Sequence, residues 1–190
     1  MTGAELAGLA QRAQGGDAAA RHELLVELYG AVRKHVYLVI GAGEIAEDAV
    51  QETMVALHRG LAAFRGDTAS PRTWALAIAT RIACRLRRKE ARYQLVEDGM
   101  VEVGVFDVAP MAAAELAVLQ RALGTLSAKK RDAFVLMAIF ELSAEEAGRV
   151  LGTFANTAAS RFRHARAELE ARFTKFDELA RFGGTELVRP

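Results

Sequence analysis

Asp48, Gln51 and Glu52 fall within about one helical turn of each other, while Val50 and Met54 mark the adjoining apolar side. Two carboxylates and an amide so placed can accept hydrogen bonds from arginines of a partner helix, each charged bond contributing about 1.5 to 3 kcal/mol. Solvated helix surface is the plainer reading of the same heptapeptide. A second set is cationic: Arg81, Arg85, Arg88 and Arg92 recur at steps of four, three and four, with Lys89 beside them. Like charges at that spacing repel unless an anionic partner such as phosphate lies against them. A third group, Arg161, Arg163 and Arg166, follows a short Gly-containing turn near Gly152, in a position where phosphates of duplex DNA can pass.

Nothing in the chain reads as a catalytic or metal centre. His22, His35, His58 and His164 are scattered over separate predicted helices and are read as helix-surface residues, and no carboxylate or cysteine cluster accompanies them. Cys84 is the only cysteine, so an intramolecular disulfide is excluded, and it cannot assemble a zinc site by itself. No cofactor and no catalysis are expected.

The elements that must position these groups are helical almost throughout. Breaks at Gly15-Gly16-Asp17, Gly41-Ala42-Gly43 and Gly66-Asp67 divide the stretch from Glu5 to about Arg92 into four predicted helices. Asp17 suits a cap, and Leu24, Leu28, Val32, Val36 and Val39 give the second helix one apolar stripe. Val50, Met54, Leu57 and Leu61 do the same for the third. The fourth opens after Ser70-Pro71 and carries Trp74, Ile78, Ile82 and Leu86, which makes Trp74 a core aromatic in preference to a base-stacking platform.

Periodicity fails from Leu95 to Met111, where glycines, a proline and acidic charges replace it; residues 96–110 read as a linker, with a strand pair as the competing reading of its valines. Leu116, Leu119, Leu123 and Leu126 restore the helical pattern, which continues through Phe134, Val135 and Ile139. Two shorter helices follow. Ser143 and Glu146 form a capping box, Gly152 suits a left-handed stop, and the next helix begins near Ala155 or Asn156, the helix-turn-helix arrangement. The expected fold is all-α, with two helical domains over 1–95 and 111–173, the linker between them, and an extension over 174–190.

Composition agrees with a folded chain: 190 residues, 52% apolar and 26% charged, with a net charge of only +1. Any nucleic-acid surface must therefore arise from local segregation. Arg72, Arg81, Arg85, Arg87, Arg88, Lys89 and Arg92 stand against Glu90 alone over that stretch. The apolar runs are far shorter than a bilayer span and no secretory signal is recognisable, so a cytoplasmic protein without membrane insertion is expected.

The order of Asp48-x-x-Gln51-Glu52, Phe64-Arg65-Gly66-Asp67, Arg72-Thr73-Trp74, Ile78-Ala79-Thr80-Arg81 and Arg87-Arg88-Lys89 resembles region two of the extracytoplasmic-function (ECF) sigma factors. The stretch from Leu126-Ser127 through Ser143-Ala144-Glu145-Glu146 and Leu151-Gly152 to Ser160-Arg161-Phe162-Arg163-His164-Ala165-Arg166 resembles their region four. The resemblance implies a transcription initiation factor and no enzyme, with RNA polymerase core enzyme, promoter DNA and an anti-sigma factor as partners. By it, Asp48, Gln51 and Glu52 dock on clamp helices of the largest polymerase subunit. The loop with Arg65, Gly66 and Asp67, together with Arg72 and Thr73, captures a flipped base of the downstream promoter element, whose extrusion costs a few kcal/mol.

Arg81, Arg85, Arg88 and Lys89 would then meet phosphate. Asn156, Thr157, Ser160, Arg161, Arg163 and Arg166 would bind the upstream element, with the start of their helix in the major groove. Several positions depart from the family pattern. Thr153-Phe154 and Ala158-Ala159 stand where a proline, a valine and a basic residue are common; Arg85 stands where an acidic residue is common, and Ala77 where a polar or basic one is. A helix-turn-helix regulator unrelated to sigma function, or a sigma-like decoy that only binds an anti-sigma factor, are the alternatives.

Overall fold

A computed structural model of the chain describes residues 1–94 and 118–182, with side chains described for 1–90 and 118–172. The linker expected over 96–110 and the end of the extension, 183–190, lie outside the described residues. The fold is all-α: α1 (Gly3–Gln14), α2 (Ala18–Ile40), α3 (Glu44–Gly60), α4 (Pro71–Gln94), α5 (118–124), α6 (Ala128–Phe134), α7 (Ala144–Leu151) and α8 (Ala155–Phe182).

Local chemistry sets the boundaries. Asp17 caps α2, its carboxylate accepting from Ala20 N at 3.0 Å. Gly43, at φ 142°, makes the entry to α3 in a conformation that side chains resist. Ser70 Oγ accepts from Thr73 N at 3.0 Å ahead of Pro71, which starts α4 where a missing N–H costs nothing. The capping box of α7 is complete, Ser143 Oγ accepting from Glu146 N at 3.2 Å and the Glu146 carboxylate from Ser143 N at 3.0 Å. Gly152 then closes α7 in the left-handed region at φ 62°.

Two elements differ from the sequence reading. The periodicity through Ile139 gives no hint that α6 widens into a π-turn over Val135–Ile139, where Phe140 N donates to Val135 O at 3.2 Å. Glu141, at φ 56°, then turns the chain toward α7. α8 is also no short helix: it runs for 28 residues, because no glycine or proline between Ala155 and Phe182 stops it.

Two apolar clusters hold the molecule. The first joins α1 to α4 through Leu9, Leu24, Leu28, Val36, Val50, Leu57 and Phe64, all buried. The second is shared between the halves of the chain. Leu38 and Val39 of α2 and Leu76 and Ala83 of α4 pack with Leu123, Leu126, Leu136, Phe140, Ala158 and Leu169. A fully buried Leu side chain contributes about 1.5 to 3 kcal/mol, so this shared cluster is a substantial attachment between the halves.

Candidate functional site

The described residues hold three polar surfaces and no metal-binding group of three or more histidine, cysteine or acidic residues. On α3, Ala46, Ala49, Val50, Thr53 and Leu57 face the core, and Thr53 removes its hydroxyl from competition by donating to Ala49 O at 2.6 Å. Asp48, Gln51 and Glu52 are left exposed, joined by Val55. Glu52 pairs with Arg85 of α4, so that acid and that cation are already matched across two helices. The departure at Arg85 thus has a visible consequence: its charge is directed at α3. The pair is well exposed and contributes only about 0 to 1 kcal/mol.

The second surface is the loop between α3 and α4. Gln14 Nε2 donates to Leu61 O at 3.0 Å and to Phe64 O at 2.7 Å, fixing the loop's entry to the end of α1. Phe64 packs on Trp74 with ring centroids 4.9 Å apart, and Trp74 also covers Gly60. Trp74 is therefore a packing residue that shapes the loop from beneath. Arg65, Gly66 and Asp67 project into solvent. Arg81, Arg88 and Lys89 are exposed along α4, Arg81 Nε donating back to Ala77 O at 3.1 Å.

Thr73 is placed differently from its loop neighbours. It is 3% exposed, hydrogen-bonded to Ser70 at 2.9 Å, and 3.5 Å from the Glu146 carboxylate of α7. Arg72 lies beside it with its guanidinium over the Phe140 ring, 5.4 Å from the centroid.

The third surface is the start of α8. Gly148 lets α7 pack on the turn so closely that a Cβ there would lie 2.9 Å from Thr153 O and 3.1 Å from Ala155 N. Ala158, Ala165 and Leu169 face inward. Asn156, Arg163 and Arg166 are exposed; Thr157, Ala159, Ser160 and Arg161 are half-buried. Arg166 pairs with Glu170 at 2.6 Å, which leaves Arg161 and Arg163 as cations of that stretch in no ion pair given by the described side chains. Phe154, just before the helix, is 84% exposed.

Sequence reasoning missed the residues that bring these surfaces together. Arg87 lies off the Arg81, Arg85 and Arg88 face and pairs with Asp132 of α6 at 3.2 Å in a mostly buried setting. Burial opposes its charge, but hydrogen bonding and attraction from Asp132 prevail and move its pKa upward. Arg131 bridges the halves, donating to Val39 O at 2.9 Å and to Leu123 O at 2.9 Å. The available signal was Asp132 itself, a carboxylate four residues before Leu136 on the buried stripe.

His35 corrects the expectation of surface histidines. His22, His58 and His164 are exposed, but His35 is fully buried, because it stands three residues after Val32 on the apolar stripe of α2. Thr80 Oγ1 donates to Leu76 O at 2.7 Å, so the 2.8 Å contact with His35 must be Nε2–H donating to the Thr80 oxygen. Nδ1 is then an acceptor, and no described group meets it. The ring edge meets Phe140 at a centroid distance of 5.6 Å. Burial pushes its pKa down to about 3.

Two family models match: Sigma-70 region 2 over residues 24–93 and Sigma-70, region 4 over 116–169. The chain is 34% identical over 159 residues to the ECF RNA polymerase sigma factor SigM of Mycobacterium tuberculosis, covering 81% of this chain and 77% of the relative. It is 30% identical over 142 residues to the RNA polymerase sigma factor YlaC of Bacillus subtilis, covering 71% of this chain and 81% of that one. Among solved structures it is similar to CnrH in complex with the cytosolic domain of CnrY, with a TM-score of 0.67 and 27% identity over 88% of this chain and 96% of that one. The sigma factor RpoE of Bartonella quintana in complex with the anti-sigma factor NepR matches with a TM-score of 0.70 and 25% identity, over 80% of this chain and 96% of that one.

Proposed function

Since the chain belongs to the ECF family of RNA polymerase sigma factors, we propose that it docks on the polymerase core through Asp48, Gln51 and Glu52 of α3 and directs the enzyme to promoters. The observation that carries the docking assignment is the division of α3: its apolar positions are buried, and these three polar residues are exposed with no part in the core.

In this reading residues 1–95 form the domain for core binding and the downstream element, and 111–173 the domain for the upstream element. Residues 96–110 link them and 174–190 extend the second. Arg65, Gly66, Asp67, Arg72 and Thr73 take the unstacked promoter base, and Arg81, Arg88 and Lys89 of α4 run along phosphate. Asn156, Thr157, Ser160, Arg161, Arg163 and Arg166 meet the upstream duplex from α8. The protein acts as an initiation factor in the cytoplasm and performs no catalysis of its own. No helix of the described residues is long and apolar enough to cross a membrane. An anti-sigma factor belongs to the reading as well, by analogy with the RpoE–NepR complex.

The reading is tested by replacing Gln51 and Glu52 with alanine and measuring core affinity beside thermal stability. Affinity should fall with the midpoint nearly unchanged, surface substitutions usually staying within about 0.5 kcal/mol. A destabilised chain that binds core as before would contradict the docking assignment.

A further inference from the structure

Phe64 packs on Trp74, Phe134 on Phe162 with ring centroids 5.9 Å apart, and Phe140 on His35. Phe154 does none of this. It stands in the turn between α7 and α8 at 84% exposure, more than any other large apolar side chain among the described residues. Phenylalanine is among the residues that stabilise a fold most when buried, and a ring this open adds nothing to the core.

The backbone beneath the ring is fixed on both sides. Thr153 N donates to Gly148 O at 2.9 Å, and Thr153 O and Ala155 N close on Gly148 so tightly that a Cβ there would lie 2.9 and 3.1 Å from them. Phe154 O accepts from Thr157 N and Ala158 N, both at 3.0 Å, so the residue opens the first turn of α8. The ring is carried into solvent on a platform anchored through the buried Ala158, and a ligand that meets it has little backbone freedom to remove.

The rest of the helix start indicates the ligand. Asn156, Ser160 and Arg163 follow at steps of four and three, which puts them on one face of α8 opposite the inward Ala158, Ala165 and Leu169. Arg161 and Arg163 have no ion pair among the described side chains. An amide, a hydroxyl and two available cations suit an anionic duplex that offers base edges. On the major-groove edge the bases present hydrogen-bond donors and acceptors, and the thymine C5-methyl is the one apolar group. A phenylalanine side chain can form no hydrogen bond and matches that methyl alone.

We propose that Phe154 is a specificity-determining residue for the upstream element: its ring packs on the C5-methyl of a thymine at the edge of the base pairs that α8 reads. Its place at the helix start puts this contact at one end of the footprint, beside the base pairs and phosphates met by Asn156, Ser160 and Arg163. Ala155 and Ala159 bring no hydrogen-bonding side chain to this surface, so the apolar contact carries a larger share of the discrimination. The proposal rests on the assignment of α8 to the upstream duplex.

The test is selection of duplexes from a randomised library by the full chain assembled with polymerase core, run in parallel for the wild type and Phe154→Ala. The wild type should recover upstream sites with a thymine at one end, and Phe154→Ala should lose the preference at that position alone. Its melting midpoint should not change, since the side chain is 84% exposed. Replacing that thymine by uracil removes the methyl and leaves every hydrogen-bonding group in place. Wild-type affinity should fall about fourfold, the ratio that corresponds to about 0.8 kcal/mol for one buried carbon, while Phe154→Ala binds both duplexes alike. With a C·G pair at the position, 5-methylcytosine should bind the wild type more tightly than cytosine. Equal discrimination between thymine and uracil by the two chains overturns the proposal and leaves the upstream assignment standing. Loss of core affinity in Phe154→Ala, with site preference kept, would place the ring against polymerase and overturn it as well. A wild type that selects no upstream sequence at all contradicts the assignment of α8 itself.

Discussion

Acid should weaken this protein through one histidine. His35 is fully buried, donates from Nε2 to Thr80 and has an Nδ1 that no described group meets, so a second proton would sit unpaired in an apolar setting. Lys34 and Arg72 lie over the Phe140 ring whose neighbour His35 is, and like charge there adds no stabilisation to a charged imidazole. With the folded pKa pushed down to about 3 and an unfolded value of about 6.5, the unfolded chain binds the extra proton first as pH falls. Stability is therefore fully present above about pH 6.5 and is lost progressively from there toward about pH 3. Between pH 7 and pH 5 the loss is about 2 kcal/mol, since each unit below the unfolded pKa contributes about 1.4 kcal/mol. Asp17 and Glu5, whose pKa values are lowered by hydrogen bonds from Ala20 N and Thr2 N respectively, lose their contributions only at lower pH, so this interval isolates the histidine. Urea unfolding followed at both pH values should show the difference in the wild type, and His35→Gln, whose amide can still donate to Thr80, should abolish most of it. Equal pH dependence in the two chains would refute the assignment.

Gly148→Ala should cost about 1 to 3 kcal/mol, because the added methyl meets the backbone at Thr153 O and Ala155 N and neither can swing away; an unchanged thermal midpoint would show that the turn yields. Ala159→Arg should add a phosphate contact beside the fully buried Ala158, and binding of duplex promoter DNA titrated against salt should steepen by about one unit of log–log slope. Arg85→Ala should leave stability within about 0.5 kcal/mol, as expected for so exposed a pair with Glu52, while changing core affinity by releasing that carboxylate; a large drop in the melting midpoint would contradict it.

The helices, their caps and the polar face of α3 were legible because each depends on neighbours within a turn or two of sequence. Asp17, Ser143, Glu146 and Gly152 act locally, and the structure places each in the role its position implies. What escaped the sequence depends on the meeting of distant residues. Arg87 reads as one more cation in a basic run until Asp132 arrives from α6. Thr73 looks like an open loop-end hydroxyl until α7 lies over it. His35 was open to discovery, since the stripe Val32, Val36 and Val39 brackets it; its polar type outweighed its position in the reading. The π-turn over Val135–Ile139 had no composition signal, because Val, Leu and Ile suit an ordinary helix equally well.

The central claim, that this chain recruits polymerase to promoters, is tested most directly by transcription in vitro from a genomic fragment library with purified core enzyme and the full chain. The account predicts transcripts with discrete start sites that appear only when the chain is added, and that are lost when Gln51 and Glu52 are replaced by alanine. A chain that binds core yet yields no such starts on any fragment would contradict it.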